Sequence, residues 1–253
     1  MSGYNPIAMV MESTLLAGLG AVVTGAGRGI GRCIALTLAR SGAHVVLASR
    51  SLAELEQVRI DIEAFGGWAA SIPADVSDEV QVKALITGAV ERMSRLDIVV
   101  NNAGMGAFGP LEQATVEQWD RVMAVNARGT FLMCREAIPH LRQHQPSYIV
   151  NISSVVGVKG YANQTLYSAS KHAMMGMSKA LARELQPDGI RVHAICPGAV
   201  DTGMGGDARP DLERAGMISP QDVADAVLFL VTRRGNAVID EIDVRRASST
   251  PWP

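Results

Sequence analysis

Residues 21–41 read AVVTGAGRGIGRCIALTLARS, and the fold follows from that order. Ala21 to Thr24 is a short apolar run of the kind that forms a buried strand, and 32–41 carries the spacing of a helix. Between them Gly25, Gly29 and Gly31 stand as GxxxGxG. Glycines there permit a tight turn and close approach of the backbone to a ligand, while the helix N-terminus offers unpaired N–H groups to a pyrophosphate. A glycine-rich turn without a ligand is the plainer reading of the glycines alone. The sequence strand, turn, helix near the start of the chain is what points to a dinucleotide.

Outward from this unit the pattern repeats. Strand-like runs at 44–49, 68–72, 97–100, 148–152 and 191–195 alternate with helical stretches at 52–64, 77–94 and 115–141, then from Tyr167 to 185 and from Ser219 to 233. Ser77 is the expected cap of the third helix, Thr115 with Gln118 a capping box, and 238–244 a final strand. Such alternation marks parallel βαβ units and not a meander. No repeat or Pro-rich linker divides the chain. The expected fold is α/β, a single-domain Rossmann-type doubly wound parallel sheet with helices on both faces, over 15–246. Residues 1–14 are expected to be a disordered arm and 247–253 an extended tail.

Composition narrows the function. The 253 residues are 48% hydrophobic and 19% charged, with a net charge of −2. That is a well-cored globular protein with no basic excess for nucleic acid and no like-charge block. The first twenty residues lack the basic start and unbroken apolar run of a signal peptide, and no later run is long enough for a membrane span. Cys33, Cys134 and Cys196 are far apart and read as reduced core residues of a cytoplasmic protein. The five histidines form no ligand cluster, so no metal is expected.

Residues 151–171, NISSVVGVKGYANQTLYSASK, carry the chemistry. Tyr167 and Lys171 are four apart, hence on one face of a helix, where an ammonium favours phenolate and lowers the pKa of the phenol. Ser154 ends the preceding strand and could hold a carbonyl oxygen beside that phenol. By itself the pair could equally be a tyrosine capping the core and a solvated lysine.

Other strand ends add a cofactor. A protein selecting NAD usually places a carboxylate after the second strand. Here Ser49 and Arg50 stand there, with Arg28 in the glycine turn, and two guanidiniums suit the 2′-phosphate of NADP. NADP(H) is therefore preferred and NAD(H) is the alternative. Asp75 and Val76 follow the third strand, where a carboxylate could accept from an adenine amine. Asn102, Ala103 and Gly104 form a small-residue loop after the fourth.

TGAGRGIG, Asp75-Val76, NNAG, VNARG, the NISS serine, YSASK and PGAVDT occur in the order and at the spacing of the short-chain dehydrogenase/reductase family, which the chain resembles from about Leu16 to Val231. The resemblance implies hydride transfer between a nicotinamide and a carbonyl or secondary alcohol. It also implies a catalytic tetrad. Ser154 would orient and polarise the substrate oxygen, and Tyr167 would exchange its proton. Lys171 would lower the Tyr167 pKa and bind the nicotinamide ribose, and Asn126 would hold a water linking Lys171 to solvent. Cofactor contacts would come from Gly25, Arg28, Gly29, Ile30, Gly31, Ser49, Arg50, Asp75, Val76, Asn102, Ala103, Gly104, Tyr167 and Lys171. Pro197, Gly198, Val200 and Thr202 complete that set, with Thr202 on the nicotinamide amide.

Substrate would meet Ser154, Val156, Tyr161 and Met204 within an apolar pocket that includes Met105, Phe108, Val155 and Ala199. A 3-oxoacyl thioester is one substrate class the resemblance suggests. The rival reading is a non-catalytic NADP-binding redox sensor, though such proteins typically lose the tyrosine or lysine. The resemblance further implies a homotetramer, or a dimer, packed through the helices bearing Asn126 and Tyr167. Met174, Met175, Met177 and Leu181 could serve that packing or the subunit's own core. Two departures stand out. The C-terminus reads VIDEIDVRRASSTPWP where relatives have a glycine-rich segment, and only a short polar stretch separates Thr202 from Ser219, which predicts a small lid and an open site.

Overall fold

The structure, a computed structural model, describes residues 15–251; the arm expected at 1–14 lies outside them, as do the last two residues. Seven strands form one parallel sheet in the order β3-β2-β1-β4-β5-β6-β7. They are β1 (Gly20–Thr24), β2 (His44–Ser49), β3 (Trp68–Pro73), β4 (Ile98–Asn101), β5 (Ser147–Ile152), β6 (Ile190–Pro197) and β7 (Glu241–Val244). The expected doubly wound α/β sheet is thus what the chain builds. The order reverses between β1 and β4, and ligands of such sheets bind in the crevice beyond the carboxyl ends of the strands at that switch point.

Alternation along the strands explains the two-sided packing. Ala21 and Val23 of β1 join one core with Val45, Leu47, Ile98 and Val100, against α1 (Gly29–Arg40), α2 (Leu52–Glu63) and, in chain order the last helix, α8 (Pro220–Val231). Val22, Val46 and Val99 point the other way, towards α3 (Glu79–Met93) and α5 (Gly129–Leu141). Because both faces are covered, the strands are continuous apolar runs. The remaining helices are α4 (Val116–Met123), α6 (Thr165–Glu184) and α7 (Gly203–Ala208).

Several local expectations are corrected. The third helix begins one residue later and is capped by Asp78, whose Oδ1 accepts from the N–H groups of Val80 and Gln81, while the Ser77 hydroxyl donates to Asp75. The long helix through Asn126 is interrupted: residues 124–128 make a π-helical turn between α4 and α5. The capping box of Thr115 and Gln118 is present. The last strand begins at Glu241 and not at 238, and Val238 is exposed. Met174 and Met175 are buried within this chain and so are not surface for a partner.

The described part of the tail, to residue 251, contains a turn. Ser249 N and Oγ donate to the Arg246 carbonyl at 3.0 and 2.8 Å, closing a turn. Arg245 Nη1 braces it by donating to the carbonyls of Arg246, Ala247 and Ser249.

Candidate active site

A single cleft of about 1790 Å³ runs along the carboxyl ends of the strands. Every site residue expected from the sequence lines it except Gly31 and Asn126.

At one end is the glycine turn. Gly25 has φ +65°, and a Cβ there would come within 2.8 Å of Asn102 Nδ2. Gly31 lies beneath the turn, where a Cβ would collide with the Gly25 carbonyl. Asn102 pins this geometry, donating from Nδ2 to the carbonyls of Thr24 and Gly25 at 2.9 and 3.3 Å. The first turn of α1 carries no acidic side chain of its own, which leaves its N–H groups free, and the nearest carboxylate is that of Glu54, packed against Gly27. This donor set fits a pyrophosphate.

Ser49, Arg28 and the exposed Arg50 line the adjoining wall. Glu54, in the first turn of α2, was not foreseen: its carboxylate stands 4.0 Å from Arg28 Nη1. The helical phase of α2, fixed by Ser51 accepting from Glu54 N, brings it there. Asp75 Oδ1 accepts from Ser77 N and Oγ; although burial works to raise the Asp75 pKa, these bonds hold it below the usual value.

At the other end are Ser154, Tyr167 and Lys171. Ser154 caps a 3-10 turn at Val155–Gly157, with Oγ accepting from Val156 N and donating to the Pro197 carbonyl, both at 3.3 Å. Lys171 is buried, and its Nζ donates to the Ile152 carbonyl at 2.7 Å and lies 5.8 Å from the centre of the Tyr167 ring. Burial pushes Lys171 down to about 8. Burial also pushes the Tyr167 phenol up to about 12, with the Ser154 hydroxyl working the other way. The one influence that lowers the phenol here is the Ser154 hydroxyl, and burial exceeds it. Phe108 meets the Tyr167 ring edge-on at 5.8 Å.

Asn126 sits behind this wall. Its side chain accepts from Met105 N at 2.9 Å and donates to Met105 O and Ser170 Oγ. A side chain so committed has little left for water, and the Asn126 carbonyl, within the π-turn, accepts from Thr130 Oγ1. The Thr202 hydroxyl accepts from Gly205 N and caps α7.

Val156, Tyr161 and Met204 line the substrate end with Met105, Phe108, Val155 and Ala199. The short lid does not stand alone: Arg245, Arg246 and Ser248 to Thr250 line the same cleft and add a wall that only the unusual C-terminus could have signalled. Near this end Cys196, Glu241 and Asp243 bring a thiol and two carboxylates within 4.8 Å of one another, the one such group among the described residues. Burial pushes the Cys196 thiol up to about 12, which keeps it a poor ligand. No helix among the described residues is long and apolar enough to cross a membrane.

A model of the short chain dehydrogenase family matches residues 20–213. This chain belongs to that family, and it is an oxidoreductase of it. It is 34% identical over 234 residues to the sepiapterin reductase of Chlorobaculum tepidum, across 90% of this chain and 96% of that protein. Among solved structures, a short chain dehydrogenase from Burkholderia cenocepacia in complex with NADP is 35% identical, with a TM-score of 0.85 over 92% of this chain and 98% of that one. A 3-ketoacyl-(acyl-carrier-protein) reductase from Brucella melitensis complexed with NADH is 34% identical, with a TM-score of 0.85 over 91% and 98%.

Proposed function

We propose that this protein is an NADPH-dependent carbonyl reductase that can run in reverse as an alcohol dehydrogenase. The carrying observation is that Ser154, Tyr167 and Lys171 share one cleft with the glycine turn, Arg28 and Arg50. NADPH, when bound, supplies the hydride that the carbonyl carbon accepts.

The chain supplies the rest. Gly25 and the start of α1 hold the pyrophosphate, and Arg28 and Arg50 hold the 2′-phosphate. Asp75, with one oxygen left, takes the adenine amine. Ser154 Oγ turns its proton from the Pro197 carbonyl to the substrate oxygen and aims it at Tyr167. The phenol, protonated at neutral pH, passes its proton to that oxygen as negative charge develops. Lys171 stabilises the resulting phenolate, and a water held at the Asn126 carbonyl carries replacement protons to it from solvent. Phe108, Tyr161 and Met204 keep water from the reacting carbon.

A 3-oxoacyl thioester is one substrate class this reading admits, supported by the likeness to the Brucella melitensis reductase. We place the enzyme in the cytoplasm, on the strength of three free cysteines, and as a homotetramer or dimer, supported by exposed Val116, Trp119 and Phe131 on α4 and α5.

The test is oxidation of NADPH and of NADH by the purified protein against ketones, quinones and 3-oxoacyl thioesters. Turnover with NADPH ahead of NADH is expected. Tight NADPH binding with no turnover on any member would favour the sensor reading instead.

A further inference from the structure

The tail that closes over the substrate end holds two adjacent arginines in different states. Val244 O accepts from Gly198 N at 2.8 Å, so Arg245 and Arg246 leave the sheet beside the Pro197–Gly198 segment of the cleft. Arg245 is spent on bracing the turn. Arg246 is half-buried, lines the cleft, and among the described residues makes no ion pair or side-chain hydrogen bond. Its charge is felt by Asp211, yet both oxygens of that carboxylate are already taken by Arg209, at 2.7 and 2.5 Å. A guanidinium fixed by its backbone, facing a cleft and lacking an anion suits a bidentate acceptor brought by a ligand.

Two more cations approach the same rim from other segments. Lys159 Nζ lies 5.7 Å from the centre of the Tyr161 ring, and Arg209 lines the same cleft. Of the nearby acids, Asp201 is held by Arg214 at 3.1 Å and Asp211 by Arg209. Asp207 and Asp243 line the cleft as well, so it is the free guanidinium of Arg246, not the overall charge, that distinguishes this wall.

We propose that Arg246 is a specificity-determining residue that selects carbonyl substrates bearing a terminal anionic group, a carboxylate or phosphate. This rests on the reductase reading above and names the substrate class for the same site. The anion pairs with Arg246 at the tail while the carbonyl reaches Ser154 and Tyr167 in the depth of the cleft.

The probes are acetoacetate, 4-oxopentanoate and 6-oxoheptanoate, each beside its neutral methyl ester, with NADPH. The ratio of kcat/KM for acid over ester is expected to exceed one in at least one pair. In Arg246→Ala and Arg246→Gln that ratio should fall about tenfold or more, carried by KM, with part of it restored in Arg246→Lys. Equal loss on acid and ester, or a wild-type preference for the ester throughout, would overturn the proposal. Calorimetric binding of the acids to the protein saturated with NADP⁺ gives a readout without turnover. Binding that Arg246→Ala weakens supports the assignment even if Tyr167→Phe were to leave turnover intact and the reductase reading fell, and no binding of any acid contradicts it.

Discussion

Lys171 Nζ donates to the main-chain carbonyl of Ile152 at 2.7 Å, from a position where the lysine is almost wholly buried. The ammonium thus has a dipole and not a carboxylate as its partner, and burial holds its pKa at about 8. A lysine titrating there loses its charge within the working pH range. The kcat/KM for carbonyl reduction should fall above pH about 8, measured from pH 6 to 10 at saturating NADPH. A rate flat to pH 10 would contradict it.

The same burial bears on stability. A folded-state pKa below the unfolded value means that the unfolded chain binds more protons between them, so folding is penalised at neutral pH and relieved as pH rises from about 8 to 10.5. That depression corresponds to about 3 kcal/mol at most. Lys171→Met should therefore melt higher than the wild type at pH 7, with the difference shrinking towards pH 10.5, while turnover collapses. A lower melting temperature at pH 7 would count against it.

Arg28 and Arg50 act on cofactor choice. Arg28 is largely exposed and, among the described residues, its one ion pair is with Glu54 at 4.0 Å, so both guanidiniums are available to a phosphate. Arg50→Ala, and more so the double replacement with Arg28→Ala, should raise the KM for NADPH by roughly tenfold or more and leave that for NADH within a few-fold. Removing Glu54 with Glu54→Gln should tighten NADPH. Equal losses for both cofactors would contradict the assignment.

Gly31 tests the turn. Any Cβ there meets the Gly25 carbonyl. Gly31→Ala should lower stability by about 1–3 kcal/mol and weaken NADPH binding more than tenfold, read by thermal unfolding and fluorescence titration. A variant that binds like the wild type would show that the turn can give way.

Much of this was legible in the sequence, for physical reasons. Strands buried on both faces are unbroken apolar runs, and glycines with no room for a Cβ cannot be replaced, so β1, its turn and α1 stand out at once. What escaped depends on contacts between distant segments. Ser77 and Asp78 are both good caps, and the spacing does not say which of the two accepts from the first turn, as Asp78 does. The π-turn at Asn126 leaves no mark in the apolar spacing. The Arg246 turn rests on carbonyls of residues that have no periodicity at all. Glu54 reaches the cofactor end because of where α2 packs, a distance no spacing rule contains.

The measurement that bears most directly on the central claim is pre-steady-state oxidation of NADPH by Tyr167→Phe beside the wild type, with cofactor affinity determined on the same samples. Loss of the hydroxyl should slow the chemical step about a thousandfold, since the Ser154 hydroxyl, the other donor at the carbonyl, is a far weaker acid than a phenol, while NADPH binding stays within about threefold. A variant that reduces the carbonyl as fast as the wild type would contradict Tyr167 as the acid and the reductase reading built on it.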